Sequence, residues 1–428
     1  MTPLTIQIRI EDKWLSIGTI RLLEREALGL SAKTEFCYDI DYATRFVERT
    51  DYRAVSCLAP VTFEPLAYDS WPPFLLDLFP QGAALKYVVE HYRVLDRPEY
   101  YWQILHIARL NPPGNLRVLT ALAPSPVTNS SHPGFSKSEV TSKGADFLEY
   151  MIQRGAPVAG TTGAGGAAPK FLLREDHHGR FFADGVLADA QTKHCWLVKF
   201  PRGKHTTDAA ILFAEKAYYD IASAVGLRTH RPLEWQDDCL FMHRFDRPVT
   251  GQHVDYLALE SFYSMAGLPE FGSRMEHQTY LSGLSKFSSD PEADIIEYCL
   301  RDLLNQMMGN TDNHGRNQSL LKGDGWTRLA PLYDFAPMKF DREGIVRNTR
   351  WNDAIEQGDL DALTRLLIDD FHIDKDLWLN ALKYFCTKTG KIEEMMQAHH
   401  VTKDFILGTR VERVRTQKAM NDLCGSII

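Results

Sequence analysis

The stretch Asn310-Thr311-Asp312-Asn313-His314-Gly315-Arg316-Asn317 constrains this chain most. It follows a segment in which Ile295, Ile296, Cys299, Leu300, Leu303, Leu304, Met307 and Met308 recur at helical spacing. Gly309 and Asn310 are residues that end helices. The polar loop then gives way to a hairpin signal: Gln318 to Leu321, a turn at Lys322-Gly323-Asp324-Gly325, and a return strand from Trp326 to Tyr333. One acid, Asp312, therefore sits on a loop, an amide, Asn317, follows it closely, and a second acid, Asp334, lies beyond a hairpin.

Phosphoryl transfer on the protein-kinase plan asks for that set in that order. One Asp accepts the hydroxyl proton, an Asn holds a Mg²⁺ ion, and a later Asp holds the metal bridging the phosphates. The Asp-x-x-x-x-Asn spacing alone also suits a capping and turn loop, because loops use both residues for turn chemistry. The rest of the chain has to decide.

A Gly- and Ala-rich run, residues 158 to 168, precedes Pro169 and Lys170 and leads into a strand. A bare backbone lets a ligand approach its N–H groups, and successive N–H groups form an anion nest. The same composition suits a flexible linker. Lys199 stands in the apolar strand Cys195 to Pro201. Burying its charge calls for an anion, whereas an edge-strand lysine would snorkel to water. The next helix, with Thr207 as its expected cap and Gly226 as its stop, carries Glu215, a residue suited to pair with that lysine. A hairpin across Gln236-Asp237-Asp238 ends in Met242-His243-Arg244-Phe245-Asp246-Arg247, where the kinase plan has its hinge. Asp246 suits either a cap on a neighbouring group or a hold on the ribose.

The N-terminal part, residues 1 to 123, reads as α+β, with a strand pair at Leu4–Ile10 and Trp14–Arg21, a further strand in 54 to 63, and helices at 74 to 79, 85 to 91 and 101 to 110. Residues 124 to 144 are Pro/Ser-rich and read as a linker. Helical stripes are expected in 254 to 266, 293 to 308, 357 to 371, 375 to 387 and 401 to 424. At 428 residues and a net charge of −8, the chain is long enough for several domains and lacks a broad nucleic-acid-binding charge. Arg410, Arg413, Arg415 and Lys418 read as a solvated helix face. The 7 cysteines are odd in number and include no C-x-x-C pair, which points to reduced thiols in the cytoplasm. No apolar run is long enough to span a bilayer, and no signal-peptide pattern opens the sequence.

With Gly-rich loop, strand Lys, helix Glu, hinge, Asp-x-x-x-x-Asn and a hairpin-linked Asp in kinase order, the chain resembles the HipA family of toxin serine/threonine kinases of type II toxin–antitoxin modules. Residues 160 to 170, Trp196 to Pro201, Arg244 to Arg247, Gly309 to Asn317 and Leu329 to Asp334 carry the match. Leu76 to Gly82 and Pro113 to Leu116 look like the family's N-terminal subdomain. The resemblance covers nearly the whole chain and is weakest before residue 70. It implies a two-lobed, kinase-like α+β fold: an N-terminal subdomain over 1–123, a linker over 124–144, an N-lobe core over 145–250 and an all-helical C-lobe over 251–428.

The resemblance also implies roles. Asp312 matches the catalytic base, Asn317 and Asp334 the Mg²⁺ ligands, and Lys199 the phosphate lysine, with Glu215 its helix partner. Gly165, Gly166 and Lys170 match the loop over ATP. His243, Arg244, Phe245 and Asp246 match the hinge, and His314 and Tyr333 lie beside the nucleotide. The implied partners are ATP, Mg²⁺, a protein substrate with a Ser or Thr acceptor such as a translation factor, and a HipB-like DNA-binding antitoxin. Many members autophosphorylate a Ser that here is Gly163, so either this chain lacks that off-switch or Thr161 or Thr162 serves instead. The alternatives are an ATP-binding regulator acting through an antitoxin and a small-molecule phosphotransferase.

Overall fold

The computed structural model describes residues 2–80, 82–107, 111–119, 132–153, 169–268, 270 and 272–425. Gly165, Gly166, Thr161 and Thr162 lie outside the described residues.

Alternation starts the fold. In β1 (Leu4–Ile10), Leu4, Ile6, Ile8 and Ile10 face the core. Glu11 and Asp12 both take positive φ, the geometry of a tight hairpin turn, and bring β2 (Lys13–Leu22) back antiparallel. With β3 (Thr34–Tyr38), β4 (Leu66–Tyr68) and β5 (Leu116–Leu119), the sheet order is β4-β3-β2-β1-β5. Trp71, just before the helix Pro73–Leu78, Phe74 and Leu75 on it, and Trp102 and Ile104 on the helix Tyr101–Ile107 complete its core. The strand expected in 54 to 63 is absent. That segment is a chain of turns with one isolated bridge, Ser56 to Ala59.

Part of the expected linker is structured. Helix Lys137–Ser142 starts on a capping box, with Ser136 and Glu139 satisfying each other's backbone N–H groups. A second sheet joins β6 (Lys170–Asp176), β7 (Phe181–Ala183), β8 (Thr192–Lys199) and β10 (Cys239–His243) in the order β7-β6-β8-β10, extended by the short β9 (Glu234–Gln236) through a hairpin. One face buries Phe171, Leu173, Trp196, Val198 and Phe241. The helix Thr206–Ala224 is capped by His205, whose ring accepts from the Thr207 N–H, rather than by Thr207.

The small hairpin β11 (Val249–Thr250) and β12 (His253–Val254) leads to β13 (Ala258–Ser261). The apolar run 254 to 266 was expected to be helical. Only Phe262–Met265 is helix, because β13 pairs antiparallel with β15 (Ser319–Gly323), which turns into β16 (Trp326–Leu329). The helices His277–Phe287, Pro291–Met308, Leu360–Asp369, Lys375–Thr389 and Arg410–Gly425 enclose Tyr280, Leu284, Leu304, Met307, Trp378 and Met420. The C-terminal part is not all helix, since β14 (Met275–Glu276) pairs in parallel with β17 (Thr349–Arg350). In the basic C-terminal cluster Arg413 is buried, 2.7 Å from Glu393, while Arg410, Arg415 and Lys418 stay exposed.

Two compact units result, and they interleave along the chain. A β-rich unit takes residues 1–202, 236–271 and 319–327, and a helical unit takes 203–235, 272–318 and 328–428. Among the described residues no helix is long and apolar enough to cross a membrane.

Candidate active site

In the helical unit, the acid loop is held from its first residue. Asp290 caps the Pro291–Met308 helix, Pro291 occupies its first turn, and Gly309 ends it at φ +69°. The carbonyl of Met308, the last residue of the helix, accepts from Tyr218 Oη at 2.9 Å. Asn310 Nδ2 donates to Asn305 Oδ1 at 2.8 Å, and Asn310 Oδ1 accepts from the Asp312 N–H at 3.3 Å. Asn317 Nδ2 then reaches back across the loop to the Asp312 carbonyl at 2.7 Å. His314 Nδ1 accepts from the Arg316 N–H at 3.2 Å, and its Nε2 lies 3.2 Å from Asp312 Oδ1. Asp312 stays half-buried, while Asn313, His314, Arg316 and Asn317 are buried. Asn317 is thus hydrogen-bonded to the Asp312 backbone, and the His314 ring lies beside the Asp312 carboxylate.

Tyr333 joins that loop: its hydroxyl donates to the Arg316 carbonyl at 2.8 Å. The next residue, Asp334, is half-buried at φ +53°. A non-glycine residue there costs free energy, and such outliers concentrate at functional sites. The neighbours fix it in place: Leu332 N–H donates to the Arg228 carbonyl at 2.9 Å, and Phe335 packs on Tyr218.

The donor set fits a hard cation. The bond from Asn317 Nδ2 orients its amide so that Oδ1 faces away from the Asp312 carbonyl, and Asp334 adds a carboxylate. Magnesium takes one or two such oxygens and completes its shell with water and phosphate. Among the described residues no three His, Cys, Asp or Glu side chains gather into a metal cage.

In the β-rich unit, taken by itself, the face of the second sheet opposite its aromatic core carries the two candidate lysines. Register places Lys170 directly opposite Lys199, with Leu240 next in the row. Directly opposite residues share a face. Both lysines are buried, and two cations in one row favour anionic groups beside them. Two residues along, Leu172, Leu197 and Met242 make an apolar row on the same face.

The side chains of the expected hinge are engaged within the β-rich unit. His243 pairs with Trp196, on the other face from the lysines, and its ring stacks on the indole at 3.8 Å. Arg244 and Asp246 belong to a buried ion network. Arg174 Nε bonds Asp184 at 2.9 Å, Arg244 bonds Asp184 and, through Nε at 3.0 Å, Asp246, and Arg247 bonds Asp246 at 2.9 Å. Burial would raise the Asp184 and Asp246 carboxyls, but the surrounding arginines hold both below the usual carboxylate range. Asp246 also accepts from the Gly114 N–H at 2.8 Å, and Arg247 donates to the Gly114 carbonyl. Asp246 is therefore a cap on the Pro113-Gly114 turn, and its carboxylate is committed to that role rather than to a ribose. Gly114 sits at φ +82° with its Cα against Leu259, so a side chain there would collide. Phe245 is half-buried beside this network. Glu215 is buried on the Thr206–Ala224 helix, in the helical unit, whereas Lys199 belongs to the β-rich one.

Sequence reasoning missed the arginine network and the Lys170–Lys199 row. Both depend on strand register, for which the spacing of single residues gives no signal.

Residues 162–401 match the family model for the HipA-like C-terminal domain. The chain belongs to the HipA family. The matched span includes Lys170, Lys199, the hinge, the acid loop and Asp334. No curated protein sequence matches the chain. Among solved structures it is similar to HipA of Shewanella oneidensis MR-1, seen in a complex of the HipA, HipB toxin–antitoxin system with operator DNA. The identity is 15%, with 98% of this chain and 97% of that one covered at a TM-score of 0.65. It also aligns with the proinflammatory kinase CtkA of Helicobacter pylori, at 15% identity over 55% of this chain and 92% of that one, TM-score 0.37. The first of these likenesses establishes a HipA-like α+β fold along nearly the whole chain.

Proposed function

We propose that this HipA-family chain is a toxin kinase that transfers the γ-phosphate of ATP to a Ser or Thr hydroxyl of a protein. The observation that carries the reading is the acid loop, in which a hydrogen bond from the Asn317 amide to the Asp312 carbonyl fixes the backbone behind a partly exposed carboxylate, with His314 Nε2 3.2 Å from it. In this reading the acceptor oxygen forms a bond to the γ-phosphorus as the bond from that phosphorus to the β,γ-bridging oxygen breaks. ADP leaves, and the acceptor's proton passes to Asp312 Oδ. His314 Nε2 holds that carboxylate in line. Asn317 Oδ1 and Asp334 would hold Mg²⁺, which supplies neutralisation of phosphate charge. Lys170 and Lys199 meet the phosphates, and the Leu172–Leu197–Met242 row suits an apolar base. His243 and Asp246 contribute through the backbone only, since their side chains are engaged elsewhere.

The Shewanella protein's complex supports a HipB-like antitoxin as partner. A translation factor such as an aminoacyl-tRNA synthetase as substrate, growth arrest as outcome and the cytoplasm as location complete the proposal. The test is phosphate transfer from radiolabelled ATP to proteins of a cell lysate, with wild type and Asp312→Asn compared. Labelled bands that depend on Asp312, with fluorescent-ATP binding kept in the mutant, support the reading. Equal labelling by the two proteins refutes the role of Asp312.

A further inference from the structure

Resting on that kinase reading, we propose that Asn313 is a positioning residue, which sets the Asp312 carboxylate by locking the acid loop onto strand β17. The side chain of Asn313 behaves as a piece of neighbouring strand. Its Oδ1 accepts from the N–H groups of Asn348 at 3.0 Å and Thr349 at 3.2 Å, and its Nδ2 donates to the Thr349 carbonyl at 2.7 Å. Thr349 Oγ1 answers by donating to the Asn313 carbonyl at 2.9 Å. One edge of β17 is paired with β14, and at Thr349 the side chain of Asn313 takes up the other. Both residues are buried, Thr349 completely. Four bonds, three of them with Thr349 and one with Asn348, fix the side chain and the carbonyl of Asn313, and so restrain the backbone that carries Asp312 and His314.

The strand is itself anchored to the helix that delivers the loop. Arg347 bonds both oxygens of Asp302, at 3.0 and 3.2 Å, and Trp351 Nε1 donates to Asp302 Oδ2 at 2.8 Å. Asp302 lies on the Pro291–Met308 helix, which runs straight into Gly309. His277 closes the group, stacked on Trp351 at 4.3 Å. Helix, loop, Asn313, Thr349 and Asp302 therefore form a ring of contacts with Asp312 at its edge. Asn313 touches no reacting atom in this scheme. It acts through the backbone of Asp312 and His314, the two residues whose side chains meet at 3.2 Å. A displacement of a catalytic group on the order of 1 Å costs about a hundredfold in rate.

The experiment measures phosphate transfer by the full chain, with amide hydrogen exchange alongside. Asn313→Ala is expected to lower kcat about 10- to 100-fold while KM for ATP stays within about twofold, because the loop loses its register and the phosphate lysines are untouched. Thr349→Val is expected to lower kcat less, and Thr349→Ser, which keeps the hydroxyl bond, to recover most of that loss. Exchange at residues 310–317 should quicken in Asn313→Ala but not in the Pro291–Met308 helix. Wild-type kcat in Asn313→Ala overturns the role. So does a parallel collapse of kcat, KM and melting temperature that Thr349→Ser shares with Thr349→Val, which would mark a merely structural contact. If the wild type itself transfers no phosphate, the kinase reading fails and takes this role with it. An active wild type beside an equally active Asn313→Ala fails only the role.

Discussion

Two motifs of this chain look alike as sequence and have opposite fates in the fold. Arg244-Phe245-Asp246-Arg247 and Asp312-Asn313-His314-Gly315-Arg316-Asn317 are both short, polar and charged, and both stand where a kinase plan wants function. The first is consumed by the scaffold. Its two arginines and its aspartate are each about nineteen-twentieths buried or more, and every charge is answered by another or by the Gly114 turn. The second is held by amides and backbone, so that its carboxylate keeps a quarter of its surface open, 26%. A charge paired on all sides is fixed in its state and tied to stability. A charge held from behind and open in front stays within reach of solvent and ligands.

That contrast sets the order of effects expected on mutation. The largest should be in rate: Asp312→Asn is expected to lower phosphate transfer about 10²- to 10⁴-fold, with its melting temperature close to wild type and fluorescent-nucleotide binding kept. A melting temperature that falls with the activity would erase the contrast. Next comes Asp246→Ala, which strands Arg244 and Arg247 in the interior and is expected to cost about 3–5 kcal/mol of stability in urea denaturation. A loss below about 1 kcal/mol would show the network to be dispensable.

A smaller effect belongs to pH. Burial pushes His277 down to about 4, with Asp302 opposing and Arg347 reinforcing, whereas the free imidazole titrates near 6.5. The unfolded chain therefore binds the proton that the folded chain refuses. His277 adds stability above pH 6.5 that is lost as pH falls toward 4. Between pH 7 and pH 5 the loss should be about 2 kcal/mol, and His277→Gln should flatten it. Asp302, held down to about 2 against its burial by Arg347 and His277, titrates below that window. The smallest change is Arg247→Lys. Lysine cannot reproduce the fork that joins Asp246 to the Gly114 carbonyl, so about 1–2 kcal/mol should be lost, with kcat unchanged.

How much of this was legible beforehand follows from the range of the interactions. Local signals carried well. The alternation of Leu4 to Ile10, the stripe ending at Gly309 and the turn Gly323-Asp324-Gly325 each lie where the residues predict. Signals that need a distant partner did not. The run 254 to 266 is apolar enough for a buried helix or a buried strand, and only pairing with Ser319–Gly323 decides for strand. The capping box at Ser136 was hidden inside a Pro- and Ser-rich stretch. His243 changes face with a one-residue change of register, which spacing along the chain does not reveal. At the candidate site the order of the acids and the amide was plain, whereas the hold of Asn313 on Thr349 joins residues 36 positions apart.

The interleaving of the two units bears on how the molecule is made. The chain leaves the helical unit after Gln318, adds a hairpin to the β-rich unit, and returns at Arg328. A ribosome working from the N-terminus cannot finish the β-rich unit until Thr327 has emerged. By then more than half of the helical unit is still unmade. A polypeptide halted at Gln318 would leave both units incomplete, with β13 lacking its partner strand and exposed to whatever else in the cell can pair with it.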